Sequence, residues 1–332
     1  MESALTLNNV CFSYPKSDTN VINNFSLEVE KGSFTTLLGS SGSGKTTLLR
    51  LISGFLEPTS GEIKVNGQII NGVAPEKRKI GMVFQDYALF PHMTVLQNLM
   101  YGLKLKNADS PKASRKSKEE LQEIINKTAS VLDLAAFMNR FPGELSGGQQ
   151  QRVALGRALV LEPGILLMDE PLSSLDTKLR QSVRAELREI QQRLKITTIY
   201  VTHDQEEALC LSDKIAVLNE GKLLQYGTSR QIYFEPADRF TAEFIGAANF
   251  INIEEKEHMV RPEWIKIFPQ DYIPNSANKD SVFIKGTVNT CEFLGSKTRF
   301  KVSTEKGQLL VDSDSIYAKD FVPGTNVTLQ VL

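Results

Sequence analysis

Gly39, Ser40, Ser41, Gly42, Ser43, Gly44, Lys45 and Thr46 fit the pattern GxxxxGK[ST], with Thr47 directly after. They stand between a run that reads as a strand, Ser33–Leu38, and a helical pattern from Lys45 to about Ser53. Strand, glycine-rich turn and helix is the context in which this spacing binds phosphate. The glycines let backbone N–H groups converge on phosphate oxygens, and the helix N-terminus adds partial positive charge. Lys45 can then reach β- and γ-phosphates, and the Thr46 hydroxyl can ligate Mg²⁺. Farther along, the apolar run Ile165–Met168 ends in Asp169 and Glu170, at the edge where open α/β sheets bind ligands. Asp169 is expected to hold Mg²⁺, usually through water, and Glu170 to act as general base on an attacking water. A third group, Ser146, Gly147, Gly148 and Gln149, offers a hydroxyl and two glycine N–H groups at the start of another helix. One nucleotide has no need of two such sites in one chain, so these residues are expected to serve ATP bound to another subunit. The plain alternative is Ser146 as an N-cap followed by a glycine turn.

The elements that must position these groups follow from periodicity. Short strands are expected at Leu5–Val10, Ser26–Val29 and Ser33–Leu38, a hairpin over 61–70, and a buried strand at Ile80–Phe84. Helical periodicity covers 94–103 and 117–134; the polar, basic stretch 104–118 between them reads as a solvated loop, with an anionic contact surface as the other reading. Then come a helix from Ser146, the strand Ile165–Met168, a helix over 177–194, the strand Ile196–Val201, a short helix near 205–210 and the strand Ile215–Leu218. Strands alternating with helices imply a largely parallel sheet covered on both faces. Around 234–250 the pattern changes to a short helix and then β-like runs at Val282–Thr290, Thr298–Val302, Leu309–Val311 and Val327–Leu332, a second small all-β domain.

Composition sets the outer bounds. A length of 332 residues favours two domains. With 41% hydrophobic residues the chain is ordinary globular protein, which excludes disordered and collagen-like classes. Thirty-eight basic against 39 acidic residues argue against a dedicated nucleic-acid binder. Cys11, Cys210 and Cys291 are too few and too scattered for a disulfide framework or a zinc site, so a reducing, cytosolic compartment is expected. No stretch has the roughly 18 apolar residues of a membrane span, and the N-terminal sequence does not read as a signal peptide. Work at a membrane would have to go through partners.

LSGGQQQRVALGRAL followed by ILLMDEPLSSLD, on top of the phosphate loop, closely resembles the signature and Walker B blocks of the ATP-binding cassette (ABC) ATPases, over about residues 4–235. The resemblance implies further roles. Gln85 matches the Q-loop glutamine, which contacts Mg²⁺ and the attacking water and links the site to membrane partners. Asp176 matches the D-loop that crosses the dimer interface. His203 matches the switch histidine on the γ-phosphate, and Tyr14 the A-loop aromatic that stacks on adenine. Taken singly, each has a bland alternative: a loop residue, an N-cap, a structural histidine, a half-buried strand residue. Two departures from the family pattern stand out: Ser174 replaces the usual Ala, and Gly156 replaces Ala in the signature helix, at an expected cost of about 0.5–1 kcal/mol. The implied fold is an α/β P-loop NTPase, with a mixed sheet and a helical subdomain at about 86–160, in a cassette of residues 1–235. A small all-β, TOBE-like barrel with a regulatory role would occupy 236–332.

VFQDYALFPHMTVLQNLMYGLKL and the C-terminal FIGAANF, VRPEWIKI and CEFLGSKTRFKV resemble the importer ATPases for spermidine/putrescine, ferric iron, sulfate and maltose. The resemblance implies ATP and Mg²⁺ as cofactors, a head-to-tail dimer with a second copy of the chain, and integral membrane permease subunits docking near Tyr87–Phe90, with core packing as the other reading of that cluster. It further implies an indirect partner in a periplasmic or lipid-anchored solute-binding protein, no nucleic acid, and a peripheral position on the cytoplasmic face of the membrane. Ferric iron or polyamine is the expected cargo, with sulfate, thiosulfate or sugar as alternatives. A soluble, non-transport ABC protein is the rival class; fused cassettes or a long coiled-coil insertion would favour it, and neither is present.

Overall fold

The computed structural model describes residues 2–15, 19–173, 175–272 and 281–331; Ser174 and the terminal Leu332 lie outside them. The chain divides into two compact units, Met1–Glu235 and Pro236–Leu332. In chain order the first unit holds β1 (Ser3–Phe12), β2 (Ile22–Glu30), β3 (Phe34–Gly39), α1 (Lys45–Ser53), β4 (Ser60–Val65), β5 (Gln68–Ile69) and β6 (Ile80–Val83). After these come α2 (Val95–Asp109), α3 (Lys118–Val131), α4 (Gly147–Leu159), β7 (Ile165–Asp169), α5 (Thr177–Leu194) and β8 (Thr197–Thr202). The unit closes with α6 (Gln205–Leu211), β9 (Lys214–Asn219), β10 (Lys222–Gly227) and α7 (Ser229–Phe234).

Two sheets organise it: an antiparallel one in the order β2-β1-β4-β5, and a six-stranded one in the order β10-β9-β3-β8-β7-β6. In the larger sheet β3 lies parallel between β8 and β9, and β7 parallel between β6 and β8. The edge strand β10 pairs antiparallel with β9, which makes the sheet mixed. The central strands carry no alternation: β3 and β8 are buried at every position, as strands covered on both faces must be. One face packs with α1 and the antiparallel sheet around Leu37, Leu48, Ile52 and Val201. The other packs against α2, α3 and α4 around Leu99, Ile125, Val153 and Tyr200.

Helix starts follow local chemistry. Thr94, Ser117 and Ser146 each form a reciprocal capping box with Gln97, Glu120 and Gln149. The stretch 104–118 differs from the loop expected: α2 runs on to Asp109 and a 3₁₀ turn follows at Lys112–Ser114. Leu103 is buried, and Arg115 stops the helix by donating to the carbonyls of Ala108 and Ser110. A cation at a helix C-terminus also suits the helix dipole. Gly156, expected to weaken α4, has a packing reason: a Cβ there would lie 2.7 Å from Leu99 Cδ2 and 3.1 Å from Leu132 Cδ1.

The second unit comprises α8 (Arg239–Ile245), β11 (Asn249–Ile253), β12 (Lys256–Val260), β13 (Ile265–Pro269), β14 (Val282–Phe293), β15 (Lys297–Thr304), β16 (Gly307–Asp314), α9 (Ser315–Ala318) and β17 (Asn326–Val331). β11 and β12 form a hairpin, and the other five strands an antiparallel sheet in the order β13-β17-β14-β15-β16. That sheet is curled, with β13 and β16 as its unpaired edges among the described residues, so it is a half-barrel. Its core gathers Ile265, Ile284, Val288, Phe300, Val302, Val311 and Leu329. Fully buried Arg261 donates to the carbonyls of Ala242, Gly246 and Ala247 at the end of α8. Among the described residues no helix is long and apolar enough to cross a membrane.

Candidate nucleotide site

The parallel strands end at one edge, and the register brings three of them together there: Asp169 stands beside Val201 of β8, and Leu38 of β3 beside Thr202. The loop Gly39–Gly44 turns from β3 into α1. Gly44 is the N-cap of α1 at φ 100°, and a Cβ on it would meet Ile22 Cδ1 at 2.6 Å, so no other residue fits without rebuilding the turn. A Cβ on Gly39 would fall 2.5 Å from Ser43 Oγ. Lys45 folds back over the loop and donates to the carbonyls of Gly39 and Ser40 at 2.8 and 2.9 Å. Burial pulls its pKa below the usual lysine range, against the opposing charges of Glu170 and Asp169.

Thr46 donates its hydroxyl to Asp169 Oδ1 at 3.2 Å, joining the start of α1 to the end of β7. Burial raises the Asp169 pKa, with the Thr46 hydrogen bond opposing and the Glu170 charge adding. A desolvated carboxylate facing a hydroxyl, with no third acidic, cysteine or histidine ligand grouped with them among the described residues, fits Mg²⁺. That ion commonly takes one or two protein oxygens and completes its shell with water and phosphate. Glu170 has φ 45°, a left-handed conformation that costs a non-glycine residue about 1–3 kcal/mol. It is held there by its N–H donating to Val201 O and by Ser173, whose N–H and hydroxyl donate to its carbonyl. The twist aims Glu170 at His203: its Oε2 lies 3.2 Å from Nδ1.

Lys45, Thr46, Thr47, Glu170 and His203 line one cleft of about 500 Å³ with Ser41, Gly42 and Gly44. Val21 lines it too, a residue with no motif to announce it. Tyr14 stands beside Thr47, with its hydroxyl 3.3 Å from Thr47 Oγ1, and its ring, edge-on to Phe12, is 37% exposed. Gln85 is exposed and outside the lining; the β6–β7 register, Val83 against Met168, places it on the same sheet edge as Glu170. Ser146–Gln149 are not brought to the cleft within the chain. Ser146 Oγ accepts from Gln149 N–H at 3.4 Å, while Gln149 Oε1 accepts from Ser146 N–H at 2.9 Å. Gly147 and Gly148 leave room for Leu175 and Val183, which a Cβ would meet at 2.7 and 3.0 Å. Asp176 is exposed and caps α5 through Leu179 N–H, as its bland reading has it. Of the apolar cluster after Gln85, Tyr87 is buried in the core and Leu89 packs on it, while Ala88 is exposed.

Sequence reasoning missed the support behind His203. Glu207, 3% exposed, accepts from the hydroxyls of Tyr200 and Thr202, both at 2.7 Å. Arg180 joins it from α5. The only sequence signal was a charged pair, Asp204 and Glu207, at the start of a short helix.

A glycine-rich loop between a parallel strand and a helix, with an acidic strand end facing it, defines a P-loop nucleotide-binding protein. A family model described as ABC transporter matches residues 22–173, and one described as TOBE domain matches 258–332. CbiO1 from Clostridium perfringens, part of the ABC transporter complex CbiONQ, is similar at TM-score 0.64 and 27% identity over 71% of this chain and 93% of its own. The ATP-binding cassette MJ0796, solved as a dimer in a post-hydrolysis state bound to ADP and Pi, is similar at TM-score 0.58 and 31% identity, over 68% of this chain and 99% of its own. The chain belongs to the ABC transporter family, as an ATP-binding ATPase subunit that carries a TOBE domain.

Proposed function

We propose that this chain is the ATPase of an ABC importer, in which two copies bind two ATP head to tail and drive a partner permease from the cytoplasmic face of the membrane. The observation that carries the reading is one cleft in which Thr46 touches Asp169 and Glu170 lies 3.2 Å from His203. Two donor–acceptor pairs, one suited to a cation and one to a water proton, flank a phosphate loop. Lys45 releases its two loop carbonyls and turns to the β- and γ-phosphates. Thr46 and Asp169 hold Mg²⁺, which when bound neutralises phosphate charge. Glu170 takes the proton of the attacking water, and His203 keeps that carboxylate oriented while its other ring nitrogen meets the γ-phosphate. Tyr14 carries the adenine, Ser146–Gln149 close on the nucleotide of the opposite subunit, and Asp176 lies at the seam between the two. The MJ0796 dimer bound to ADP and Pi supports this arrangement by similarity.

A permease is supported by exposed apolar side chains: Phe84, next to Gln85 in the chain, is 39% exposed, and Tyr101, whose ring packs on Phe90, and Leu105 on α2 are 40% and 53% exposed. Arg157 of α4 stacks over Phe90 and donates to Ala88 O, so the segment after Gln85 is tied to the helix that Ser146 caps. The membership of CbiO1 in a transporter complex is in keeping with such a partner. The cargo assigned to the system is ferric iron or a polyamine, delivered by a solute-binding protein, as the resemblance of the C-terminal segments implies. The test is Glu170→Gln, which should keep ATP binding, abolish turnover and trap a dimer on gel filtration. Near-normal hydrolysis by that variant would overturn the assignment.

A further inference from the structure

Arg180 sits one turn into α5, and its guanidinium spans two loops that border the site from different sides. Nη2 donates to Leu175 O at 3.0 Å, the last carbonyl before the Asp176 cap. Nη1 lies 3.5 Å from Asp204 Oδ2. Nε points toward Glu207 Oε1 at 3.9 Å and is buried without a hydrogen-bond partner. Both neighbours of His203 are fixed to that same group. Thr202 donates its hydroxyl to Glu207 and accepts from Asp204 N–H at 2.9 Å, while Asp204 Oδ1 accepts from Glu207 N–H at 3.1 Å. His203 itself is mostly exposed and touches Glu170, so its placement depends on how its two flanking residues are held.

We infer that Arg180 is a positioning residue: it ties the Leu175–Asp176 segment to the residues flanking His203, so that a shift of that segment re-aims the imidazole at Glu170. This rests on the catalytic reading of His203 given above. The contact set has a second arrangement within reach. Moving Nε toward Glu207 by about 1 Å would close a charge-assisted hydrogen bond that is open in the present geometry. The nearest mover is the Leu175 carbonyl, because it holds the adjacent guanidinium nitrogen. The segment is exposed at Asp176, where a second copy of the chain would meet it under the proposed dimer. The link therefore runs from the subunit seam to the hydrolytic pair through one side chain.

The experiment compares parent, R180M, R180K, D204N and H203A for kcat and KM with Mg-ATP and for thermal unfolding. It adds ¹⁵N-histidine NMR, since the chain holds three histidines, His92, His203 and His258, whose ring signals can be told apart. The expected result is a kcat of R180M lowered about 10-fold or more with KM within about twofold, because misplacing a reacting group by about 1 Å can cost up to about 100-fold. R180K should recover part of it, D204N should fall on the same side, and the His203 ring signals alone should move. Unchanged His203 signals, or a kcat of R180M within about twofold of parent while H203A is inactive, overturns the role of Arg180 and leaves the site reading standing. An H203A variant that hydrolyses ATP normally overturns both. Should R180M fail to fold, the same criteria apply to R180K and D204N.

Discussion

The helix that carries Lys45 and Thr46 ends on a buried arginine, and removing that arginine gives a sharp test of how the phosphate loop is held. The Arg78 side chain is fully buried. It donates from Nε to Val73 O at 2.7 Å, from Nη1 to Leu51 O and Ile52 O at 2.8 and 3.1 Å, and from Nη2 to Glu57 Oε1 at 2.7 Å. Leu51 and Ile52 are in the last turn of α1, whose carbonyls lack the usual helical partner; Leu51 O also accepts from the Gly54 N–H at the helix end. Gly54 ends the helix at φ 88°, and a Cβ there would lie 2.4 Å from Arg78 Nε, so the glycine makes the space that the guanidinium fills. Burial lowers the Arg78 pKa, against the charge of Glu57, so part of the gain from these bonds is already spent on desolvation. The Glu57 carboxylate is half exposed, and that contact is discounted for screening. Arg78→Met leaves two carbonyls, those of Val73 and Ile52, without a donor, while Leu51 O keeps the Gly54 N–H; at about 1.5–3 kcal/mol for each charge-assisted bond lost, and not fully additive, the loss is about 3–5 kcal/mol. At about 2–4 °C per kcal/mol for a unit of this size, the cassette transition should fall by about 6–20 °C in calorimetry. Gly54→Ala should cost a similar amount alone and less beside Arg78→Met, since the two share one clash. A drop of less than about 3 °C for Arg78→Met would refute the claim that this guanidinium caps α1.

Gly156→Ala should lower stability by about 0.5–2 kcal/mol in denaturant titration, because crowding Leu99 and Leu132 outweighs the gain in helix propensity; a stabilised variant would show that α2 and α4 have slack there. In the C-terminal unit, burial pulls the Asp312 pKa up, but the hydrogen bonds from Arg299 and Lys297 outweigh it and hold the carboxyl below its usual 3.8. A depressed folded pKa adds stability that is present above 3.8 and lost as pH falls through the folded value, so Asp312→Asn should melt lower than parent at neutral pH, by about 1–3 kcal/mol, with the gap closing in acid. A gap that survives unchanged at about pH 2 would assign it to packing instead.

How much of this was legible in the sequence depended on how far apart the partners lie. Gly39–Thr47, Asp169–Glu170 and Ser146–Gln149 are contiguous, and each motif's chemistry is set by the turn or strand end that carries it, so composition and spacing reveal them. His203 and Gln85 came through resemblance alone, and they reach one edge because β6, β7 and β8 are parallel neighbours. Arg78, Arg180 and Arg261 were invisible. Their acceptors are backbone carbonyls and carboxylates 5 to 27 residues away, and a carbonyl carries no sequence signature. The basic stretch 104–118 misled for a related reason: its charges read as solvation, whereas Arg115 spends its charge on the end of the helix before it. Short strands such as β10 and β13 escaped because an edge strand needs little apolar patterning when one neighbour supplies its hydrogen bonds.

On the proposed reading, the free chain has both halves of the machine in self-satisfied states. Lys45 is bonded to its own loop, Thr46 to Asp169, and Ser146 to Gln149. Each contact has to open for nucleotide to bind, and each is a neutral or single-charge hydrogen bond worth about 0.5–3 kcal/mol. The bonds that would replace them are charge-assisted ones to phosphate, roughly twice as strong as neutral ones. For Lys45 and Thr46 the exchange takes place inside one chain, at a loop already folded around the phosphate position. For Ser146 it takes place only when a second chain presents its nucleotide, because Gly147 and Gly148 are packed against Leu175 and Val183, away from the cleft of their own subunit. Opening the Ser146 capping box costs about 1 kcal/mol, too little to block closure. It is enough to keep that helix end ordered, with its N–H groups already aligned, until the opposite γ-phosphate arrives. Binding energy from that phosphate is then spent on bringing two chains together instead of on building a site, and its loss on hydrolysis returns Ser146 to Gln149 and lets the two copies part.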